Sequence, residues 1–427
     1  MKFIGDISSS TIPENLRSTV ELNGTTIVGV NSGTDENPAW TYKNVTVGNS
    51  TSSVQGTSLT VNVGGDFTAN SLTQNVKTVV NLSGNMDLTA PLPESWNVSN
   101  AEENFAVLKV LGNFTVKDGG VLNINSEASN NRNGAIYVGA GGSLVMESGS
   151  KVNLTNAALR STAYGSSTAA NIDIQNGSEL SAAALWLGDN TQISVSGKVN
   201  VSSSSGIYVY GKNTVFTVKN GADISARNMS LAYSTMIVES DVAAGSIKTS
   251  YIGIDNNNAR LQLYASNAVV NPTTLKSDNV YFQAFIGDCY LDIFADQTFD
   301  SLRFLAQEKR DGITSIDFNV YIGDAVNLIS LNTLCNNTLI TPEENYLERY
   351  LIFDNFRNGV IHVDSIDTTL DLSLVSSADG DWVDFRFEED ELNGGYWLAA
   401  TYVPEPSACA AILGAAAIAL AVCFKRR

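Results

Sequence analysis

Short apolar runs of three to five residues, each closed by Gly, Asn, Asp or Ser, recur along this chain in a fixed phase, and no other feature constrains its fold as tightly. Three stretches align. They are Ala135-Ile136-Tyr137-Val138-Gly139 followed by Ser143-Leu144-Val145-Met146, Leu185-Trp186-Leu187-Gly188 followed by Gln192-Ile193-Ser194-Val195, and Ile207-Tyr208-Val209-Tyr210-Gly211 followed by Val215-Phe216-Thr217-Val218. A third short strand follows in each, at 151–154, 198–201 and 222–225, entered through Gly149, Gly197 and Gly221. The alternation has period 2, the signature of half-buried strands. With Ile136 as phase marker, equivalent positions are expected at Leu159, Leu185, Ile207, Leu231 and Ile252, at spacings of 21 to 26 residues that define one repeat unit.

Strands this short cannot bury a face alone. Stacked coil upon coil at about 4.8 Å, each pairs in parallel with its counterparts, and three strands per unit make a triangular coil. The expected fold is therefore all-β: a right-handed parallel β-helix of three-strand coils, with a C-terminal β-rich cap and a C-terminal transmembrane helix. Ile136, Val138, Leu185, Leu187, Ile207 and Val209 belong to its inward column. About eleven or twelve coils would give a rod on the order of 55 Å long. A β-sandwich of Greek-key hairpins is the competitor, since the same strands could pair antiparallel; the fixed phase favours the coil.

The expected divisions are an N-terminal region or cap at 1–59, the β-helix at 60–330, a C-terminal cap with one short helix at 331–402, and a terminal signal at 403–427. Thr341 as cap, Pro342 at the first helical position and Glu344 three residues after the cap place that helix at 341–349. Strands are expected at 350–353, 360–363, 370–375, 382–387 and 396–402. A cap is the economical reading, because an open coil end is an aggregation-prone edge.

The formal charge is −19, and −22 without the three terminal cations, which makes nucleic acid a poor partner. Four cysteines give no disulfide framework and no CxxC site: Cys289 and Cys335 are expected as thiols rather than as a bridge, and Cys409 and Cys423 as small hydrophobes. The single histidine, His362, alternates against Ile361 and Val363 and is expected to be solvated. One histidine nearly excludes Ser-His-Asp catalysis and His-rich metal sites. β-Helices also carry polysaccharide lyases and glycosidases, which makes a carbohydrate-active enzyme the alternative reading. Those chemistries need convergent carboxylates or acidic ligands beside a base, whereas Asp173, Asp189 and Asp223 fall in different phases, and Arg160 and Arg227 have no acidic constellation beside them. Asp379, Asp381 and Asp384, with the run from Glu388 to Glu391, read as solvated acidic turns rather than a Ca²⁺ site. The sequence thus implies no catalytic residue, no metal and no cofactor. Phase adds one candidate surface. Tyr137, Trp186 and Tyr208 are expected to point outward from one side, with Arg160 between the first two, and an exposed aromatic strip can stack on sugar rings.

The C-terminus carries the most specific signal. Val403-Pro404-Glu405-Pro406-Ser407 is followed by seventeen uncharged, mostly small apolar residues, 408–424, and by Lys425, Arg426 and Arg427. Seventeen helical residues span roughly 26 Å, close to a bilayer's hydrocarbon thickness, and the cations fix their end on the cytoplasmic side. Pro404 and Pro406 favour an extended strip at the membrane surface, open to a processing enzyme. In this order the tail resembles the PEP-CTERM sorting signal. That resemblance implies recognition and cutting by an exosortase, an integral membrane protease, and delivery to the cell surface or an exopolysaccharide matrix. The coil pattern in turn is similar to the passenger regions of autotransporter-type adhesins. Residues 1–8 carry one cation and no apolar run of secretory length, so the true start is expected to lie upstream. The expected role is non-enzymatic: an exported structural or adhesin-like surface protein, partnered by the membrane, an exosortase-type protease and glycans.

Overall fold

The structure, a computed structural model, describes residues 19–403 apart from 35, 49–58, 91–105, 126–133, 162–166, 203–205, 256–257, 272–280, 285–286, 305–308, 310, 311–313, 336–346 and 367–370. It is nearly all β. Among the described residues, successive strands are dealt in turn to three sheets, so that neighbours within a sheet are one coil apart in sequence. The first sheet has fourteen strands, from Thr19–Leu22 to Val375–Ser377; the second has ten, from Thr26–Ile27 to Val269–Val270; the third has eleven, from Asn44–Val47 to Ser301–Phe304. All pairs within these sheets are parallel. This is a parallel, β-helix-like stack, and it removes the antiparallel sandwich. Antiparallel pairing is confined, among the described residues, to the hairpin of Gly29–Asn31 with Trp40–Tyr42 and to the C-terminal strand Tyr396–Tyr402 with its two neighbours.

The apolar column forms as the alternation requires. In the third sheet, Leu108, Ile136, Leu159, Leu185, Ile207, Met229, Ile252, Phe282 and Leu302 stand opposite one another in register, each at most 2% exposed. Burying each side chain of this class contributes about 1.5–3 kcal/mol against the entropy of ordering the coil. Met229, not the expected Leu231, holds the Ile136 phase; Leu231 lies opposite Val209 one step along. Both face inward, because a shift of two residues preserves the face.

The stack runs past the expected boundaries at 60 and 330. Among the described residues its first strand is Thr19–Leu22, and it continues through Ser315–Ile322, Glu348–Asp354 and Val375–Ser377. Near the C-terminus a further sheet takes the place of the second, with Gln297–Phe299, Ile329–Leu331 and Ile361–Val363 in parallel, then Tyr396–Tyr402 and Trp382–Glu389.

Two local expectations are corrected. The expected helix at 341–349 lies mostly outside the described residues, but its last two positions, Glu348 and Arg349, are strand. There Arg349, Leu351 and Phe353 alternate inward and pair with Ser315–Ile322, so tertiary pairing outweighs the local capping signal. The expected strand at 370–375 is instead a 3₁₀ turn, Leu372–Leu374, with strand starting only at Val375. Asp371 caps it by accepting a hydrogen bond from the Ser373 N–H.

Candidate functional site

The outward row of the third sheet runs Lys109, Tyr137, Arg160, Trp186, Tyr208, Ser230, Gly253 in register. Arg160 therefore does sit between Tyr137 and Trp186. Trp186 and Tyr208 stack with ring centroids 4.0 Å apart and planes 19° from parallel. Tyr210 meets both edge-on, at 6.0 and 5.6 Å, and the Arg160 guanidinium carbon lies 5.3 Å from the centre of the indole.

The geometry changes what this row can do. Tyr137 is only 2% exposed and offers no open ring. Trp186 has Tyr208 on one ladder side and Arg160 on the other, so both its faces are engaged, and its Nε1 is shut from solvent without an acceptor. Tyr208 and Tyr210 remain half-buried, and the ladder neighbour beyond Tyr208 is Ser230, which carries no ring. The cluster is first a cross-coil stack, worth about 0.5–1.5 kcal/mol for the ring pair beyond its buried area, with a cation–π contact added. Trp186→Ala should accordingly cost about 2 kcal/mol in urea unfolding, and a shift below a few tenths would show that the stack contributes nothing.

Polar side chains elsewhere form ladders of their own. Asn81 donates to Asn62, which donates to Glu21; Asn153 donates to Asn123, which donates to Asp87. Each amide in such a row passes its N–H back one coil, and a carboxylate, which only accepts, terminates it. Lys117 with Glu147, Lys198 with Glu179, and Lys248 with Asp223 form charged rungs in the same way. The hydrogen bond from Lys198 holds the Glu179 carboxyl below its usual range.

The carboxylates considered for catalysis have local tasks. Asp173 accepts from Gln175, Asp189 accepts the Lys212 N–H at 2.8 Å, and Asp223 pairs with Lys248. Asp379 accepts the Asp381 N–H within its turn. Asp390 accepts the N–H groups of Leu392 and Asn393 and the Asn393 side-chain amide, and that last bond is the main cause of its lowered pKa. Among the described residues, no three His, Cys, Asp or Glu side chains come together as metal ligands would. Cys289 and Cys335 are buried thiols.

His362 does point opposite Ile361 and Val363, but it is not solvated as expected: its side chain is 13% exposed. The strand Tyr396–Tyr402 pairs alongside and covers it, with Trp397 edge-on to the imidazole at 4.9 Å. Nε2 donates to the Gly394 carbonyl at 2.9 Å, an Asp390 oxygen stands 3.7 Å from Nε2, and an Asp364 oxygen stands 3.8 Å from Nδ1. The imidazole pins the hairpin turn to the coil.

Asp317 is the strained carboxyl. Burial, and secondarily the charge of Asp288, raise its pKa above the usual carboxylate range. A folded-state pKa above the unfolded value, about 3.9, gives stability that is complete below that value and lost as pH rises through the folded pKa. Asp317→Asn should therefore raise the urea midpoint at neutral pH and leave it unchanged at pH 3. An equal gain at both pH values would show that charge is not the cause.

Val403, the last described residue, is about half exposed, and its N–H donates to the Asp381 carbonyl at 2.7 Å. Pro404, Glu405, Pro406, Ser407, the apolar stretch 408–424 and Lys425, Arg426 and Arg427 lie outside the described residues. Among the described residues, no helix is long and apolar enough to cross a membrane. No known protein family, curated protein or solved structure matches the chain.

Proposed function

We propose that this chain is a non-enzymatic exported protein of the cell surface or extracellular matrix, structural or adhesin-like, carried on a right-handed parallel β-helix. Its C-terminal apolar segment acts as a transmembrane helix before processing, and an exosortase-type membrane protease is the processing partner. The observation that carries this reading is the order of the tail: Pro404-Glu405-Pro406, seventeen apolar residues, then Lys425, Arg426 and Arg427. The motif opens at Val403, directly after the strand Tyr396–Tyr402. A polar, acidic exterior suits a protein displayed outside the cytoplasm, and exopolysaccharide or other glycans are its fitting partners. On this reading Tyr208 and Tyr210 are the remaining aromatic contacts for a sugar.

Mass spectrometry of the mature protein from its native host tests the reading. Surface material should lack everything after the Pro404–Pro406 region. Recovery of surface protein that ends at Arg427 would make the tail a permanent anchor instead.

A further inference from the structure

The first sheet carries another aromatic surface, on the outward side of Thr235–Val238, Ala259–Leu263 and Cys289–Ile293. Met236, Leu261 and Leu291 face inward in register, so Thr235, Ile237, Arg260, Gln262, Tyr290 and Asp292 face outward. Asp292 accepts from the Arg260 guanidinium and the Gln262 amide, each at 2.9 Å, and the guanidinium carbon lies 4.6 Å from the centre of the Tyr290 ring. The two charges on these outward positions cancel, in a chain whose formal charge is −19.

A tyrosine stands at each end of this strip. Tyr264 directly follows Ala259–Leu263 and lies parallel to Phe294 of the next coil, with centroids 4.2 Å apart and planes 1° apart. Phe294 leans in turn on Tyr321, and Gly323 leaves its ring room, since a Cβ there would come within 3.1 Å of the Phe294 Cδ1. The run of rings stops at Tyr264, which is 38% exposed, because its neighbour one coil back is Glu239.

Tyr233 stands at the other end, just before Thr235–Val238. In four successive coils this corner is left-handed: Asn190, Asn213, Tyr233 and Asn258 occupy equivalent places with φ of 55°, 58°, 57° and 65°. Asparagine tolerates that conformation, whereas an aromatic residue is strained in it. Tyr233 is nonetheless 39% exposed, so no burial of its ring offsets the strain.

We propose that this strip binds a neutral polysaccharide, an inference that rests on the reading of the chain as a surface protein partnered by glycans. A sugar ring has an apolar C–H face and a rim of hydroxyls that donate and accept. Tyr264, held by Phe294, turns its other ring face toward the Glu239 side and gives the C–H face an aromatic partner. The planar groups of Arg260, Gln262 and Asp292, already ordered by their mutual bonds, meet the hydroxyls. Glu239 adds an acceptor and repels a uronate, as the acidic chain does as a whole. Tyr233 lies opposite Asn258, six residues before Tyr264, which puts the two tyrosines about 20 Å apart along the strands. That reach fits several linked sugar rings rather than one. The strain at Tyr233 is then the cost of displaying a ring to the ligand.

The test presents the full chain to an array of neutral hexose oligosaccharides of graded length, with uronate oligomers beside them. A neutral oligosaccharide should be retained, more strongly as it lengthens, and the uronates should not. Tyr264→Ala with Tyr290→Ala should weaken retention about tenfold. Tyr233→Asn should raise the urea midpoint and weaken retention together, a combination that a purely structural tyrosine would not give. Retention of no neutral oligosaccharide, equal retention of uronates, or retention unchanged in these variants overturns the proposal. Retention that survives them and falls with Tyr208→Ala and Tyr210→Ala overturns it too, and assigns the sugar to the third sheet. The export reading is tested separately by the mature C-terminus, so a processed tail on a chain that binds no sugar would sink the strip alone.

Discussion

Phe216→Ala should lower the free energy of unfolding by about 3–5 kcal/mol. Phe216 is fully buried and stands between Ile193 of the preceding coil and Met236 of the following one. In a parallel stack a lost ring cannot be replaced by a neighbour sliding in. Each adjacent strand is held in register by its own pairing, so the cavity persists. The loss should also be local, because coils touch chiefly their neighbours and stability is close to a sum of coil and interface contributions. Hydrogen exchange should accelerate most in Thr191–Val195 and Thr235–Val238, and least in the C-terminal hairpin. Urea unfolding followed by circular dichroism gives the size of the effect. A loss below about 1 kcal/mol, or exchange that accelerates equally everywhere, would contradict a rod built by nearest-neighbour contacts.

Why the coil could be read from sequence, and the surface could not, follows from what each depends on. The inward column needs only period-2 alternation and turns that repeat, and both are local. Ile136, Leu185 and Ile207 fell into one ladder for that reason. The misplacement of Leu231 for Met229 has the same origin, since residues two apart share a face and only pairing separates them. Outward residues depend on what stands one coil above and below. The alternation of Tyr137, Trp186 and Tyr208 gave their direction, but the burial of Tyr137 and the sandwiching of Trp186 between Arg160 and Tyr208 come from residues distant in sequence. His362 is enclosed in the same way, by a strand that begins 34 residues later at Tyr396. At Glu348 and Arg349, helix-capping signals upstream were outweighed by a seven-residue pairing with an existing strand. The coil that contains Thr19–Leu22 is obscured in the sequence by a two-residue second strand and the inserted hairpin of Gly29–Asn31 with Trp40–Tyr42, which together disturb the spacing.

The acidic composition also acquires a physical use. Carboxylates end the amide ladders at Glu21 and Asp87, hold turns at Asp379 and Asp390, and pair with lysines one coil away at Glu147, Glu179 and Asp223. These tasks order the outer faces and coil ends without converging on a point. The result is a long, regular, polar exterior with its charged groups spread along the stack.

Such a rod must not grow by joining ends, and Phe385→Asp should show how the C-terminal end is stopped. The last strand of the first sheet, Val375–Ser377, would present an open edge. Instead the chain turns back: the Ser377 hydroxyl donates to the Trp382 carbonyl and accepts from its N–H, and the strand Trp382–Glu389 pairs antiparallel with Tyr396–Tyr402. Phe385 packs there against Phe356, with centroids 5.0 Å apart, and against Phe353 at 6.2 Å, while Trp382 meets Phe356 and Tyr402. Phe385 is 8% exposed, so an aspartate there loses the ring contacts and buries a carboxylate with no cation in the aromatic cluster to meet it. The expected cost is about 3 kcal/mol or more, and freeing the hairpin should uncover the edge, so that gel filtration shows assemblies growing with concentration. Phe385→Leu, which keeps an apolar side chain, should stay near the parent in both respects. If the aspartate variant is destabilised but remains monomeric, the ring cluster stabilises the end without guarding it.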